Sequence, residues 1–517
     1  MSGAHLLMRS LAASGVEICF ANPGTSEMHL VAALDQAPGI RPVLTLHENV
    51  ASGAADGWAR MTGRPATTLL HLGPGLANAL ANLHNARRAA TPIVNLVGEH
   101  ASYHVAHDPP LASDIAALAR TVSGWVHTVP DAAEMGRAAA QAVASAQGAP
   151  ATVATLIVPS DAAWDAVPDA APVAAPAPTA GRAPDGTAID AAARALVSGE
   201  TTVLLVGGRA MRPDLLAMAS RVAGATNARL CCTPFTARAR RGAGSVAVER
   251  LSYFPEAVAQ LLAPVRHLVL VDAPPPVAFF AYPGQSVALV PPGCTVHTLA
   301  GGGDDVAAAL AALVEATHAA RQPPTLVPRT ELPPPNGAVT PEVLAQALGA
   351  VLPEEAIVCD EAITNRFPAL VGTAGALPHD WLCITGGSLG IGMPLALGAA
   401  LAAPGRRVVN LQADGSAMYT PQALWSLARE GADVTVVLLR NRRYRILELE
   451  LQRMQLADAS RGRALTDLSQ PAIDYVQLAT SMGVPASRAE TAESLAEAMR
   501  RSCAEGGPHL IEVQMAG

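Results

Sequence analysis

The stretch RVVNLQADGSAMYTPQALWSLAREGADVTVVLLRNRRY, Arg407 to Tyr444, carries one full strand–helix–strand step. Arg407–Leu411 and Val434–Leu439 are short apolar runs of the kind that make strands buried on both faces, and Pro421–Arg429 between them has helical character. A helix between two such strands makes them parallel neighbours, and open parallel sheets bind ligands at the carboxyl ends of their strands. Asp414-Gly415-Ser416 follows the first strand and Arg440-Asn441-Arg442-Arg443-Tyr444 the second. Asp414 and Asn441 therefore converge at one sheet edge. A carboxylate, a carboxamide oxygen and a backbone carbonyl are hard ligands suited to Mg²⁺ or Ca²⁺. Gly415 permits close approach of a ligand, and helix N-terminal amides favour phosphate. Taken alone, strand–Asp–Gly–Ser is equally a common structural turn.

The same alternation of short apolar runs and helix-like segments extends over all 517 residues. Pro/Ala-rich stretches at Val167–Gly186 and Gln322–Gly337 fit neither helix interiors nor central strands and read as linkers. The fold class is α/β, three consecutive domains with parallel sheets: 1–166, 187–321 and 338–517. Strands are expected at Val16–Ala21, Thr67–Leu72, Ile93–Val97 and Thr152–Val158, then at Thr202–Val206, His267–Val271 and Ser286–Val290. In the last block they are expected at Ala356–Cys359, Trp381–Ile384, Arg407–Leu411, Val434–Leu439 and Leu510–Val513.

Composition excludes several chemistries. All 35 Lys+Arg residues are arginine, so neither a Schiff-base lysine nor a Walker-type phosphate loop is available. A net charge of −8 argues against a nucleic-acid scaffold. Seven cysteines without C-x-x-C spacing indicate neither a zinc site nor a disulfide framework. With no long apolar run, the expectation is a soluble cytoplasmic protein without a membrane partner. The run Arg440, Arg442, Arg443, Arg445 is the one dense basic cluster; it divides between solvent and structure, with attraction of an anionic substrate as a second use.

Four further segments bear on function: Leu46-His47-Glu48-Asn49-Val50 followed by Ala55-Asp56-Gly57-Trp58-Ala59-Arg60; Thr385-Gly386-Gly387-Ser388-Leu389-Gly390; Asn22-Pro23-Gly24-Thr25; and Leu72-Gly73-Pro74-Gly75. Together with Asp414…Asn441 they resemble, in order, the motifs of thiamine-diphosphate (ThDP) enzymes of the 2-oxo acid decarboxylase and acetolactate synthase family. Ala413 stands where that family's motif begins with Gly, and Arg440 where its first Asn stands.

The resemblance implies a pyrimidine-binding domain, a middle domain and a diphosphate-binding domain. It makes Asp414, Asn441 and the backbone oxygen of Arg443 the metal ligands, for Mg²⁺ or Ca²⁺. Glu48 would bond N1′ of the aminopyrimidine, the Gly387 carbonyl would accept from the 4′-amino group, and Leu389 would wedge between the rings. Pro23, Thr364, Gly415, Ser416 and Tyr444 complete the cofactor contacts. His71 and Thr25 join Glu48 as catalytic candidates, and Ser26, Leu72, Ile446 and Leu447 join Thr25 as pocket-lining ones.

Layout is most similar to benzoylformate decarboxylase, which implies decarboxylation of a small-molecule 2-oxo acid through a C2-carbanion and enamine. The family's second active-site histidine has no counterpart in Ala278-Phe279-Phe280-Ala281-Tyr282. The alternative is an acetolactate synthase-like carboligase that joins the enamine to a second carbonyl. Gly207-Gly208-Arg209 is no flavin signature, so FAD is not expected. A homodimer or homotetramer is implied, with Glu48 acting on a neighbouring subunit's cofactor. Two other classes remain: a cofactor binder without turnover, and a serine hydrolase. Gly386–Gly390 satisfies G-x-S-x-G, and Ser388…Asp414…His509 has a hydrolase order, but His509 precedes its strand instead of following it.

Overall fold

The structure, a computed structural model, describes residues 1–168, 170–178, 181–456 and 461–516. Strands β1 (Ile18–Asn22), β2 (Arg41–Leu44), β3 (Ala66–Leu70), β4 (Ile93–Glu99), β5 (Trp125–Thr128) and β6 (Val153–Pro159) form a parallel sheet in the order β2-β1-β3-β4-β6-β5. The next strands are β7 (Thr202–Val206), β8 (Arg229–Cys232), β9 (Ala239–Arg241), β10 (Glu249–Arg250), β11 (His267–Val271) and β12 (Thr295–Ala300). Five of them make a second parallel sheet, β10-β8-β7-β11-β12. The sixth, β9, leaves its neighbours and pairs antiparallel with the edge of the third sheet. That sheet contains β13 (Ile357–Glu361), β14 (His379–Cys383), β15 (Val408–Ala413), β16 (Val434–Arg440), β17 (Ala486–Ala489) and β18 (His509–Gln514), in the order β17-β18-β16-β15-β13-β14-β9.

Strands expected from continuous apolar runs sit within a few residues of their observed places, with one exception. Ser286–Val290 contains no strand, only a single bridge between Val277 and Ala288. Pro283-Gly284 before it and Pro291-Pro292-Gly293 after it confine that run to a loop, and β12 takes the place beside β11.

The first and third sheets share one apolar core, in which Val50, Ala51, Ala54 and Trp58 join Leu395, Ala396 and Ala399. The helices Glu48–Thr62 and Gly392–Ala402 meet there almost backbone to backbone. A Cβ on Gly398 would overlap the Ala54 carbonyl, and one on Gly57 would overlap that of Leu395. Near the end of the first helix, Arg60 forms a buried ion pair with Asp56, its Nε 2.8 Å from Oδ1. The same guanidinium donates to the carbonyls of Cys383 (2.7 Å) and Ala237 (3.2 Å) and to Thr385 Oγ1 (3.1 Å). One arginine thus ties all three blocks of the chain together.

A second buried charge sits at the end of β13. Glu361 accepts from the N–H groups of Gly390 (2.6 Å) and Gly392 (2.7 Å) and from Gln412 Nε2 (3.0 Å). Burial pushes its carboxyl up to about 7, against the pull of those donors.

Two outcomes are expected. Asp56→Ala strands the Arg60 guanidinium and should lower stability by about 3–5 kcal/mol in urea denaturation, whereas Asp56→Asn, which keeps an acceptor, should lose less. For Glu361, the unfolded chain releases its proton near 4.5 while the folded protein keeps it to about 7, so this group's contribution falls as pH rises through that window and is flat above it. Denaturation midpoints measured across the window should fall less steeply in Glu361→Gln than in the parent protein.

Candidate functional site

The carboxyl ends of β1, β3 and β4 build a first cluster. After β1 the chain turns through Pro23 and Gly24 into the 3₁₀ turn Thr25–Glu27, where Glu27 reaches back to the Gly24 N–H at 2.8 Å. Glu27 is fully buried, and its Oε2 also lies 2.8 Å from His71 Nδ1, the first residue beyond β3. Its Oε1 has no hydrogen-bond partner and rests against Gly98 of β4. A carboxylate on Nδ1 fixes the imidazole's orientation and leaves Nε2 as the working nitrogen.

Glu48 opens its helix, capped by the His47 side chain, which accepts from Asn49 N. The Glu48 carboxylate does not cap; it accepts from Asn78 Nδ2 at 3.1 Å and is 7 % exposed. A Cβ on Gly75 would lie 3.3 Å from both Glu48 Oε1 and His71 Cβ, so that glycine is the shared wall between the two side chains. Thr25 is exposed beside them, and Ser26 is half-buried. Leu72 is fully buried and offers no surface to a substrate. Sequence reasoning did not single out Glu27 or Asn78. The first had a usable signal, an acid three residues after a turn glycine; the second had none.

The second cluster lies at the ends of β15 and β16. Asp414 Oδ1 accepts from Gly415 N (2.9 Å), and Oδ2 from Asn441 N (2.9 Å) and Arg442 N (2.6 Å). Burial pushes this carboxyl up, against the opposing pull of those amides. Asn441 Oδ1 accepts from Arg443 N at 3.0 Å. Ser416 Oγ accepts from Gln412 Nε2 at 2.7 Å. The Tyr444 ring closes over Gly415 so tightly that a Cβ there would overlap it. A cleft of about 400 Å³ opens beside this loop, lined by Asn441, Arg442, Arg443, Arg463, Asp467 and others. Of the arginine run, Arg440 pairs with Glu512 and Arg443 and Arg445 with Glu448, so most of it is structural.

Between the clusters runs the loop of Gly387, at φ +75°, and Leu389. The helix Leu72–Ala89 anchors it: Asn85 Nδ2 donates to the Ser388 carbonyl (2.8 Å) and Asn82 Nδ2 to that of Gly390 (3.1 Å). Phe279 of the middle block sits directly on Gly387, where a Cβ would come within 2.8 Å of its ring. Thr364 is half-buried in the turn after β13. Hydrogen bonds join Glu27 to His71, Asn78 to Glu48 and Asp414 to Asn441, and none of these links the two clusters directly. His509 begins β18 and bonds Ser487 Oγ, at the sheet end away from Asp414. The hydrolase arrangement is therefore without support.

The residues fit ThDP with a divalent ion. Among the described residues no three His, Cys, Asp or Glu side chains are grouped to hold a metal alone; a carboxylate, a carboxamide oxygen and a backbone oxygen, with a ligand's phosphates, are hard donors of the kind that hold Mg²⁺. Gly415 leaves no room for a side chain, since the Tyr444 ring packs against its backbone. Arg209 occupies the crevice beyond β7 and β11, bonding Asp272 Oδ2 (3.1 Å) and the carbonyls of Gly301 (3.1 Å) and Gly302 (2.9 Å).

Residues 1–135 match the family described as "Thiamine pyrophosphate enzyme, N-terminal TPP binding domain", and residues 372–513 its C-terminal TPP binding domain. The chain is 51 % identical to a putative acetolactate synthase large subunit, IlvX, of Mycobacterium tuberculosis, over 99 % of each. It is 28 % identical to the benzoylformate decarboxylase of Pseudomonas aeruginosa, over 96 % of each. In fold it is similar to the Rhodococcus jostii ThDP-dependent 4-hydroxybenzoylformate decarboxylase, at TM-score 0.84 and 24 % identity, covering 100 % of this chain and 99 % of that one. With both binding domains matched and a relative this similar over nearly its whole length, the chain belongs to the ThDP-dependent enzymes of the decarboxylase and acetolactate synthase family.

Proposed function

We propose that this enzyme decarboxylates a 2-oxo acid with ThDP and Mg²⁺, in the manner of a benzoylformate decarboxylase, and that His71 manages the proton that ends the reaction. One observation carries the reading: a histidine held on Nδ1 by a fully buried glutamate, one glycine away from the buried Glu48 carboxylate. When bound, the cofactor supplies a nucleophilic carbon and an electron sink for the departing CO₂. Residues 1–166 would hold its pyrimidine, 338–517 its diphosphate, with 187–321 as the middle domain.

Glu48 would hold a proton at N1′ of the pyrimidine, and Pro23 would line the ring. Gly387 would accept from the 4′-amino group, and Leu389 would set the angle between the rings. Asp414, Asn441 and the Arg443 carbonyl would hold the metal. Gly415, Ser416, Thr364 and Tyr444 would enclose the diphosphate. His71 Nε2 would then move a proton to or from the reacting carbon, and Thr25 would position the substrate carboxylate. This reading includes no flavin, for which Gly207-Gly208-Arg209 is no signature.

A second reading, carboligation onto another carbonyl, is favoured by the name of the 51 %-identical relative. In either case the active unit is a homodimer or a tetramer of such dimers, and Glu48 acts across the subunit boundary.

CO₂ release from pyruvate, benzoylformate and branched 2-oxo acids, with products identified, tests this. Release should depend on ThDP and Mg²⁺ and fall about 10²–10⁴-fold in Glu48→Gln. In His71→Ala the aldehyde should fall far more than substrate binding does. A hydroxy-ketone as the sole product would favour the second reading, and no cofactor-dependent release from any acid would contradict both. Diluting the enzyme to monomers should abolish activity, whereas full activity in a proven monomer would overturn the shared site.

A further inference from the structure

Arg440 stands immediately before the proposed metal ligand Asn441, as the last residue of β16. Its side chain turns sideways across the sheet, and Nη1 donates to Glu512 Oε1 of β18 at 3.0 Å. That is a largely buried ion pair, with the two side chains 14 % and 3 % exposed. A buried carboxylate needs several donors, and Glu512 has them. The half-exposed Arg488 approaches the same oxygen at 3.4 Å, and Oε2 accepts from Tyr475 N at 3.2 Å.

Tyr475 begins the helix Tyr475–Ser481, and its ring is buried. From there its hydroxyl donates to the main-chain carbonyl of Asp414 at 2.9 Å. A continuous path therefore runs from Arg440 through Glu512 and Tyr475 to Asp414. It starts next to one proposed metal ligand and ends on another, and it lies behind the loop, on the β18 side. The direct bonds from Asp414 to the Asn441 and Arg442 amides tie the same two loops together from the front.

We propose that Arg440, Glu512 and Tyr475 are positioning residues that brace the Asp414 and Asn441 loops from behind and so set how tightly the enzyme holds Mg²⁺ and ThDP. The proposal rests on the cofactor reading above. It gives Arg440, the departure from the family's paired asparagines, a function of its own. A loop already fixed in its binding geometry has less freedom to lose when the ligand arrives, so affinity rises without any new contact to the ligand. Neither Arg440 nor Glu512 needs to touch the cofactor for this.

Calorimetric titration of ThDP into metal-supplemented apoprotein reads the effect directly, with thermal melting of each apoprotein alongside. Tyr475→Phe removes one hydroxyl and should weaken ThDP binding about fivefold. Arg440→Met, which leaves Glu512 without its main partner, should weaken it at least as much, and Arg440→Lys should restore part of the loss. A purely structural brace would lower the melting temperature and leave affinity unchanged. Affinity within twofold of the parent in Tyr475→Phe, the mildest change and the one that decides if Arg440→Met fails to fold, would overturn the inference. Failure of the parent protein itself to bind ThDP would instead overturn the cofactor reading on which the inference rests.

Discussion

The near-contact of two helix backbones governs this molecule. Helix Glu48–Thr62 presents Gly53, Ala54 and Gly57 to Pro394, Leu395 and Gly398 of helix Gly392–Ala402, and there is no room for a Cβ at any of the three glycines. Small residues let the helices approach until carbonyls touch the partner's glycines, and the surrounding Val, Leu and Trp side chains merge two sheets into one apolar core. Both helices start at the functional region. The first opens with Glu48, and the second follows directly on the Gly387–Leu389 loop. Fixing their crossing therefore fixes where the Glu48 end of the first helix and the Gly387–Leu389 loop sit relative to each other. Arg60, bonded to groups from all three parts of the chain, locks the arrangement.

Chemistry follows from strand polarity. Each sheet ends its parallel strands in loops that carry the polar groups: Gly24–Glu27 and His71 on the first, Asp414 and Asn441 on the third. The first set is an imidazole held by one buried carboxylate beside another, an arrangement suited to moving protons. The second gathers backbone amides around the Asp414 carboxylate and the Asn441 carboxamide oxygen. In the middle sheet Arg209 bridges the loops after β11 and β12, and that domain contributes a wall of aromatic side chains. Phe279 on Gly387 belongs to it, as do Phe235, Tyr253 and Phe280, whose rings pack around Phe279 in a chain with few aromatics.

Much of the fold is legible in the sequence alone. Central strands such as Thr202–Val206 and Val434–Arg440 are buried on both faces and announce themselves as unbroken apolar runs. Edge strands do not. β2, with the pattern Arg-Pro-Val-Leu, shows one buried residue in four, and β17 likewise, so neither carries an apolar signal. β9 is invisible for a different reason: Ala239–Arg241 becomes a strand only because β14 offers a free edge to it. At the candidate site, ordered motifs pointed to Glu48, His71, Asp414 and Asn441. Partners set by tertiary contact could not be read that way. Glu27 meets His71 across 44 residues and Glu512 meets Arg440 across 72, and nothing local marks either pair. Ser286–Val290 misled because hydrophobicity alone cannot distinguish a strand from a loop packed between prolines.

The central claim is that Glu48 and Asp414 serve one cofactor from two different subunits. Mixing the separately inactive Glu48→Gln and Asp414→Ala proteins under conditions that exchange subunits tests it. A hybrid dimer would contain one site with both defects and one with neither, so activity should return to about a quarter of the parent's. A mixture that exchanges subunits yet stays inactive would contradict the account, because it would place both residues of each site on the same chain.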